Sequence, residues 1–353
     1  MRRDLQKNTE IRYLHMLRCI AIFLVIALHC VAPYLTGKQI AFGSKTWLAC
    51  DIINSAGRMG VPIFFMISGF LLLSDERTLD IKNFYKKRMK RIFIPFLCWD
   101  IIYFITNAIF HHQPLEIGKF FSELLVQGSK YHLWFLYQIM GIYLLLPFLK
   151  RLLDRCKPRE QVLFFAIVLF QPTILLFINT IQPAVRIAPF GPLVEGYVGF
   201  FLFGYLLGTY PVSPRWRRVI YCAGIVGFLL NIVGNFCFSS PQQIKLVFNA
   251  GYSITHYLTA GALFLWFKEH FRTSPSTSFQ NGIYRGARWI SKLSFGIYLS
   301  HVLILEHFAV FLSNILSLSP ASSIVFSFFA TSVLSTLLIF LLSKCKPLRT
   351  IFL

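Results

Sequence analysis

The chain has 353 residues, of which 56% are hydrophobic, 17% aromatic and only 14% charged, and its mean hydropathy of +0.62 excludes a soluble domain of this length. The net charge of +21 arises from 35 Lys and Arg against 14 Asp and Glu; in a membrane chain the placement of basic residues explains such an excess, so no nucleic-acid partner is required. The eight cysteines are scattered, mostly within apolar runs, without a Cys-x-x-Cys pair or a metal-ligand spacing, and they read as packing residues with no metal site.

Apolar runs of about 20 residues, enough to cross the hydrocarbon as helix, recur along the whole sequence. They predict an all-α polytopic integral membrane bundle forming a single transmembrane domain over 1–353. About ten spans are expected, near 14–34, 50–73, 92–110, 133–149, 161–181, 193–209, 219–237, 250–267, 291–313 and 321–342. The basic N-terminus before the first run imitates a secretory signal. No small-x-small site follows it, and His29 before Cys30 does not suit a lipoprotein signal, so the run reads as an uncleaved span.

Counting from the N-terminus, alternate polar segments carry 27 Lys and Arg, whereas the intervening loops hold 6: Lys38, Lys45, Lys119, Lys130, Arg186 and Lys245. By the positive-inside rule both termini are cytoplasmic, in a multi-pass protein of a cell membrane, bacterial by preference. There is no internal repeat, and the Ser- and Thr-rich stretch 273–278 reads as a flexible loop.

Arg18 and Arg58 are the basic residues inside spans, where each costs about 2.5 to 3.5 kcal/mol on insertion scales. Arg18 and His29 stand eleven positions apart, a separation that returns to nearly the same helix face about 16 Å further along the axis. One elongated ligand reaching in from the cytoplasm can touch both. The competing reading has Arg18 snorkelling to the interface and His29 bonding a neighbouring helix. The second span runs through Arg58 to a Ser68-Gly69 step that permits close helix approach.

Before the third span, Arg88 and Arg91 share a face if the helix has already begun, and the planar guanidinium suits two-point binding of phosphate; a simple block to translocation explains them equally well. His111, His112 and His132, with Trp47, Tyr131 and Trp134, fit either stacking on sugar or an aromatic belt, and the belt is the preferred reading. The ninth span places His301 about 15 Å in from its cytoplasmic edge, near mid-membrane. The carboxylates in or near spans are Asp51, Asp100, Glu195 and Glu306; each is as easily a structural partner as an aid to an imidazolium.

These segments resemble acyltransferase family 3 over most of the chain. The resemblance rests on Arg18-x10-His29, on Val61-Pro62-Ile63-Phe64-Phe65-Met66-Ile67-Ser68-Gly69-Phe70, and on Arg88-Met89-Lys90-Arg91 with Ile92 and Pro95. His132-Leu133-Trp134-Phe135-Leu136 and Gly296-Ile297-Tyr298-Leu299-Ser300-His301 complete it. It implies transfer of an acetyl or related acyl group from cytoplasmic acyl-CoA, a co-substrate rather than a bound cofactor, to a hydroxyl of a glycan or glycolipid acceptor. Arg88 and Arg91 would bind the donor, and Arg18, His29 and His301 would form the catalytic set. His29 is either general base or acyl carrier, and the sequence does not separate the two routes. The rival reading is a transporter or flippase of lipid-linked sugars, with the buried Arg and His lining a passage.

Overall fold

The computed structural model of the chain describes residues 2–37, 39–112, 114–181, 196–246, 248, 251, 253–271 and 277–352. Lys38, Arg186, Glu195 and most of the 273–278 stretch lie outside these residues. Among the described residues the regular structure is helical: α1 (Arg2–Thr36), α2 (Lys45–Gly57), α3 (Gly60–Leu73), α4 (Ile81–Phe110), α5 (Ile117–Val126), α6 (Trp134–Arg155) and α7 (Pro158–Ile181). Then follow α8 (Tyr197–Thr209), α9 (Pro214–Phe238), α10 (Ile254–His270), α11 (Ser278–Ile304), α12 (Val310–Ile315), α13 (Pro320–Lys344) and α14 (Lys346–Phe352). In hydrocarbon no water is available to the backbone, so each crossing segment must bond its own N–H and C=O groups, and the helix does this within one segment.

Among the described residues seven stretches are long and apolar enough to cross a membrane: Arg12–Thr36, Lys45–Leu73, Ile81–Phe110, Tyr131–Arg155, Pro214–Phe238, Ser278–Ile315 and Pro320–Lys344. The protein is thus a polytopic all-α membrane bundle. The other three expected spans fall on α7, on the 13-residue α8 and on the 17-residue α10.

The second expected span, 50–73, is two helices rather than one continuous rod. α2 ends at Gly57, Arg58 and Met59 form a turn, and α3 starts at Gly60. Pro62 supplies the reason: it has no N–H to offer the carbonyl of Arg58, four residues back, and its ring would crowd that carbonyl in an unbroken helix. In the first turn of α3 the missing donor costs nothing. A second departure is α5, a helix within what reads as an outer loop. Its Ile117, Phe121 and Leu125 recur every four residues and are all exposed, an apolar stripe suited to lying in a membrane interface.

The chain divides into two compact units, one of Met1–Asp75 with Leu152–Ser291, the other of Glu76–Arg151 with Lys292–Leu353. The first unit is closed by glycine seams, as expected where lipid gives helices no hydrophobic drive to associate and backbones must approach closely to gain packing. α3 crosses α8 with Gly69 against the backbone of Phe201 and Gly204 against that of Met66. α9 meets α10 through Gly224, opposite Ala262, and through Gly227, opposite Thr255 and Leu258. Lys268 near the end of α10 donates to the carbonyls of Leu207 and Tyr210 at 2.6 and 3.0 Å, satisfying acceptors at the C-terminus of α8.

In the second unit α4 is the central helix. Trp99 on α4 packs edge-on against Phe352 of α14 at 5.8 Å, and its indole N–H points to the Phe352 carbonyl at 3.5 Å. The segment before α6 is strapped to the same helix. Asp100 Oδ1 accepts from Ser129 N at 2.6 Å, while Asn107 donates to the Ser129 carbonyl at 2.8 Å and accepts from Lys130 at 3.0 Å.

Candidate functional site

Arg18 and His29 lie on the continuous α1, both half-buried, so the shared face read from their spacing is present on one helix. The first unit fixes the stretch between them by backbone contact. A methyl on Gly60 would come within 2.7 Å of the Ala21 carbonyl oxygen, and one on Gly57 within 2.8 Å of the Leu24 carbonyl oxygen and 2.7 Å of Leu28 Cβ. Only a hydrogen fits at these two positions. The α2–α3 break created by Pro62 therefore docks on α1 between the levels of Arg18 and His29 and holds that stretch of the helix in place.

Arg88 and Arg91 stand in the N-terminal part of α4. That helix begins at Ile81, eleven residues before the expected span, with Asp80 as N-cap accepting from Asn83 N at 3.3 Å. The helix thus already runs through both arginines, one turn apart on neighbouring faces. Arg88 is half-buried with its guanidinium 5.9 Å from the Phe84 ring centroid, and Arg91 is exposed.

His301, near the end of α11, has a neighbour that its own segment did not announce. His132 and His301 are both fully buried and meet edge to face at 5.1 Å, with Tyr103 at 5.0 Å from His132 and Tyr298 at 5.6 Å from His301. The His301 Nδ1 lies 2.6 Å from the Tyr298 carbonyl. A carbonyl only accepts, so Nδ1 carries the proton and the neutral ring keeps its basic lone pair on Nε2. Tyr298 in turn donates its hydroxyl to the His132 carbonyl at 2.5 Å.

The turn that carries His301 is opened by an insertion. The Tyr103 hydroxyl donates to the Leu299 carbonyl at 2.7 Å and accepts from Leu303 N at 3.1 Å, occupying the gap where residue 303 would have bonded residue 299 directly. Downstream the helix relaxes into a π turn over Leu305–Ala309 before α12. A side chain wedged into the helical ladder, next to a π segment and a buried imidazole, is an arrangement that recurs at functional sites.

The carboxylates have structural partners. Asp51 accepts from Asn235 at 2.8 Å, Asp100 is held by Ser129, and Glu306 pairs with Lys130 at 2.6 Å. The aromatic-belt reading is corrected at two residues. Trp47 and His132 are fully buried: the Trp47 indole donates to the Leu35 carbonyl at 3.2 Å, and His132 packs among Tyr103, Tyr298 and His301 instead of facing lipid headgroups. The sequence signal for His132 was its place before Leu133-Trp134-Phe135. Tyr103, one aromatic in an apolar helix, carried none.

A family model described as an acyltransferase domain matches residues 11–343. The chain is 25% identical over 244 residues to the O-acetyltransferase OatA of Staphylococcus aureus, covering 58% of this chain and 40% of that protein. It is 29% identical over 109 residues to the putative acetyltransferase ORF330 of Acidianus two-tailed virus, covering 29% of this chain and 33% of that one. Identity to the serine/alanine racemase of Enterococcus gallinarum is 28% over 127 residues, 33% of this chain and 16% of that protein. The chain therefore spans less than half the length of each of these relatives. No solved structure matches it.

Proposed function

The chain belongs to the acyltransferase 3 family, and from that premise we propose that it is a membrane O-acyltransferase moving an acyl group, acetyl in the first instance, from acyl-CoA to a hydroxyl of a cell-surface or lipid-linked glycan. The observation that carries the reading is the continuous family match over residues 11–343, which runs through both compact units and supports treating 1–353 as one acyltransferase domain. Its similarity to the O-acetyltransferase OatA and to the putative acetyltransferase ORF330 adds to it.

The proposed topology has ten spans, counting α7, α8 and α10 with the seven longer stretches, and both termini on the cytoplasmic side of a bacterial cytoplasmic membrane. The distribution of 27 basic residues against 6 supports that orientation. Arg88 and Arg91 then stand at the cytoplasmic end of α4 and grip the phosphates of the donor, a task suited to paired guanidinium groups. Arg18, at the same end of α1, neutralises a further part of the donor. His29, about 16 Å deeper along α1, takes the proton of the acceptor hydroxyl. The acceptor oxygen attacks the thioester carbonyl, the C–O bond forms as the C–S bond breaks, and the coenzyme A thiolate takes up the proton. His301, its lone pair on Nε2, is a second proton acceptor within the catalytic set.

The test uses purified full-length protein in lipid nanodiscs, with acetyl-CoA labelled in the acetyl group and a membrane glycolipid extract as acceptor. Wild type transfers label to glycan, and His29→Ala lowers the rate by about 10²- to 10⁴-fold, the range for a general base. Equal transfer by the variant, at equal folded protein, removes His29 from the mechanism. A wild type that moves sugar across the bilayer without consuming acetyl-CoA replaces the enzyme with a transporter.

A further inference from the structure

The first unit contains a buried polar stripe that plays no part in the steps above. Asp51, Asn54, Ser55 and Arg58 recur at i, i+3, i+4 and i+7 along α2 and its C-cap, so they share one helix face. Asp51, Asn54 and Ser55 are 0% exposed, whereas Ile52 and Ile53 on the other side are 46% and 36% exposed. The stripe faces α9: Asn235 donates to Asp51 Oδ1 at 2.8 Å, and Asn231, one turn back on the same side, accepts from Thr255 of α10 at 2.8 Å.

These contacts leave much unsatisfied. Among the described residues, Asp51 Oδ2, both ends of the Asn54 carboxamide, the Ser55 hydroxyl, Arg58 Nε and the Asn231 amide nitrogen have no hydrogen-bond partner. A buried polar group without a partner costs about 1 to 3 kcal/mol, and a cluster of them in a membrane bundle marks a place where a ligand completes the bonding. The mixture identifies the ligand. A cation would satisfy the oxygens and leave the nitrogens, and an anion the reverse; hydroxyl groups donate and accept, and so serve both.

Aromatic rings border the stripe at the N-terminal end of α2. Trp47, one turn before Asp51, lies 4.8 Å from Phe42 and 6.3 Å from Phe236, and Phe42 stacks on Phe236 at 5.4 Å. A carboxylate and carboxamides beside aromatic faces can bond the hydroxyls of a sugar while covering its C–H faces. We propose that the stripe of Asp51, Asn54, Ser55 and Arg58, bordered by Phe42 and Trp47, binds the sugar of the acceptor. The inference rests on the reading of the chain as an acyltransferase acting on a hydroxyl. Entry requires the Phe42 ring, carried on the connection between α1 and α2, to leave its stack on Phe236.

The test is saturation binding of tritiated octyl β-glucoside and octyl N-acetyl-β-glucosaminide to the full-length protein in nanodiscs. Wild type binds at least one of them saturably, and Asn54→Leu and Asp51→Asn each weaken binding by about tenfold, the value of one to two lost hydrogen bonds, while acetyl-CoA affinity stays within about twofold. Ser55→Ala is a milder variant for use if Asn54→Leu does not fold, with an expected loss of about threefold. Absence of saturable binding of either glycoside by wild type overturns the proposal, as does wild-type affinity in folded variants. Acetyl transfer measured on the same samples separates the two readings. Glycoside binding without transfer keeps the sugar site and removes the acyltransferase; transfer with unchanged acceptor KM in the variants does the opposite.

Discussion

Replacing Gly69 with Ala tests whether the α3–α8 seam sets the spacing of the first unit. A methyl at Gly69 would lie 2.6 Å from the carbonyl carbon of Phe201 and 2.9 Å from its Cα. Carbon atoms settle at about 3.5 to 4.0 Å, so the two helices must part by about 1 Å, and the obstacle is backbone that cannot rotate away. Overpacking of this kind costs about 1 to 3 kcal/mol. Gly204→Ala, which meets the backbone of Met66 from the other helix, should behave alike. Gly141 on α6 provides the opposite case. Among the described residues nothing lies within 4 Å of a methyl added there, and in a helix interior Ala is favoured over Gly by about 0.5 to 1 kcal/mol. Thermal unfolding of detergent-purified protein, followed by loss of the monodisperse elution peak, should show midpoints lowered by about 2 to 6 °C for Gly69→Ala and Gly204→Ala, and unchanged or raised for Gly141→Ala. Wild-type midpoints for the two seam variants, or an equal drop for Gly141→Ala, would show that the helices are not held at this distance by glycine.

Two further expectations concern the second unit. Arg88→Ala combined with Arg91→Ala should raise the KM for acetyl-CoA by about 10- to 100-fold, the effect of losing charge-assisted bonds to phosphate, with a much smaller change in kcat; titration of the donor at saturating acceptor measures both. Tyr103→Phe removes the hydroxyl that bridges the Leu299 carbonyl and Leu303 N, leaving both groups to find each other across an opened turn. A loss of about 1 to 2 kcal/mol in thermal stability is expected, and a midpoint equal to wild type would mean that the turn closes without strain.

What the sequence revealed follows from which interactions are local. Helical spans, the basic bias of alternate loops and the shared face of Arg18 and His29 depend on periodicity and hydropathy alone, and α1 carries that pair as one helix. The break at Arg58 was also written locally, in Pro62 and the glycines around it, but the hydropathy of 50–73 is continuous through it and hides it. α5 was missed because ten residues, however apolar, are too short for a span. The companion of His301 was beyond reach for another reason. His132 lies far from it in sequence, and tertiary straps such as those from Asp100 and Asn107 to Ser129 bring the preceding segment onto α4. Hydropathy assigned Trp47 and His132 to an interface by depth, whereas burial was decided by tertiary partners.

The order of the chain has a consequence for synthesis. The ribosome delivers Glu76–Arg151 first, but the remainder of that compact unit, Lys292–Leu353, only after all of Leu152–Ser291. The wide ring of Trp99 on α4 must therefore wait in the membrane until α14 arrives, since Phe352 packs on it. Throughout that interval an aromatic surface meant for the interior lacks its late-made cover. Loss of α14 is therefore felt far upstream, at Trp99 of α4.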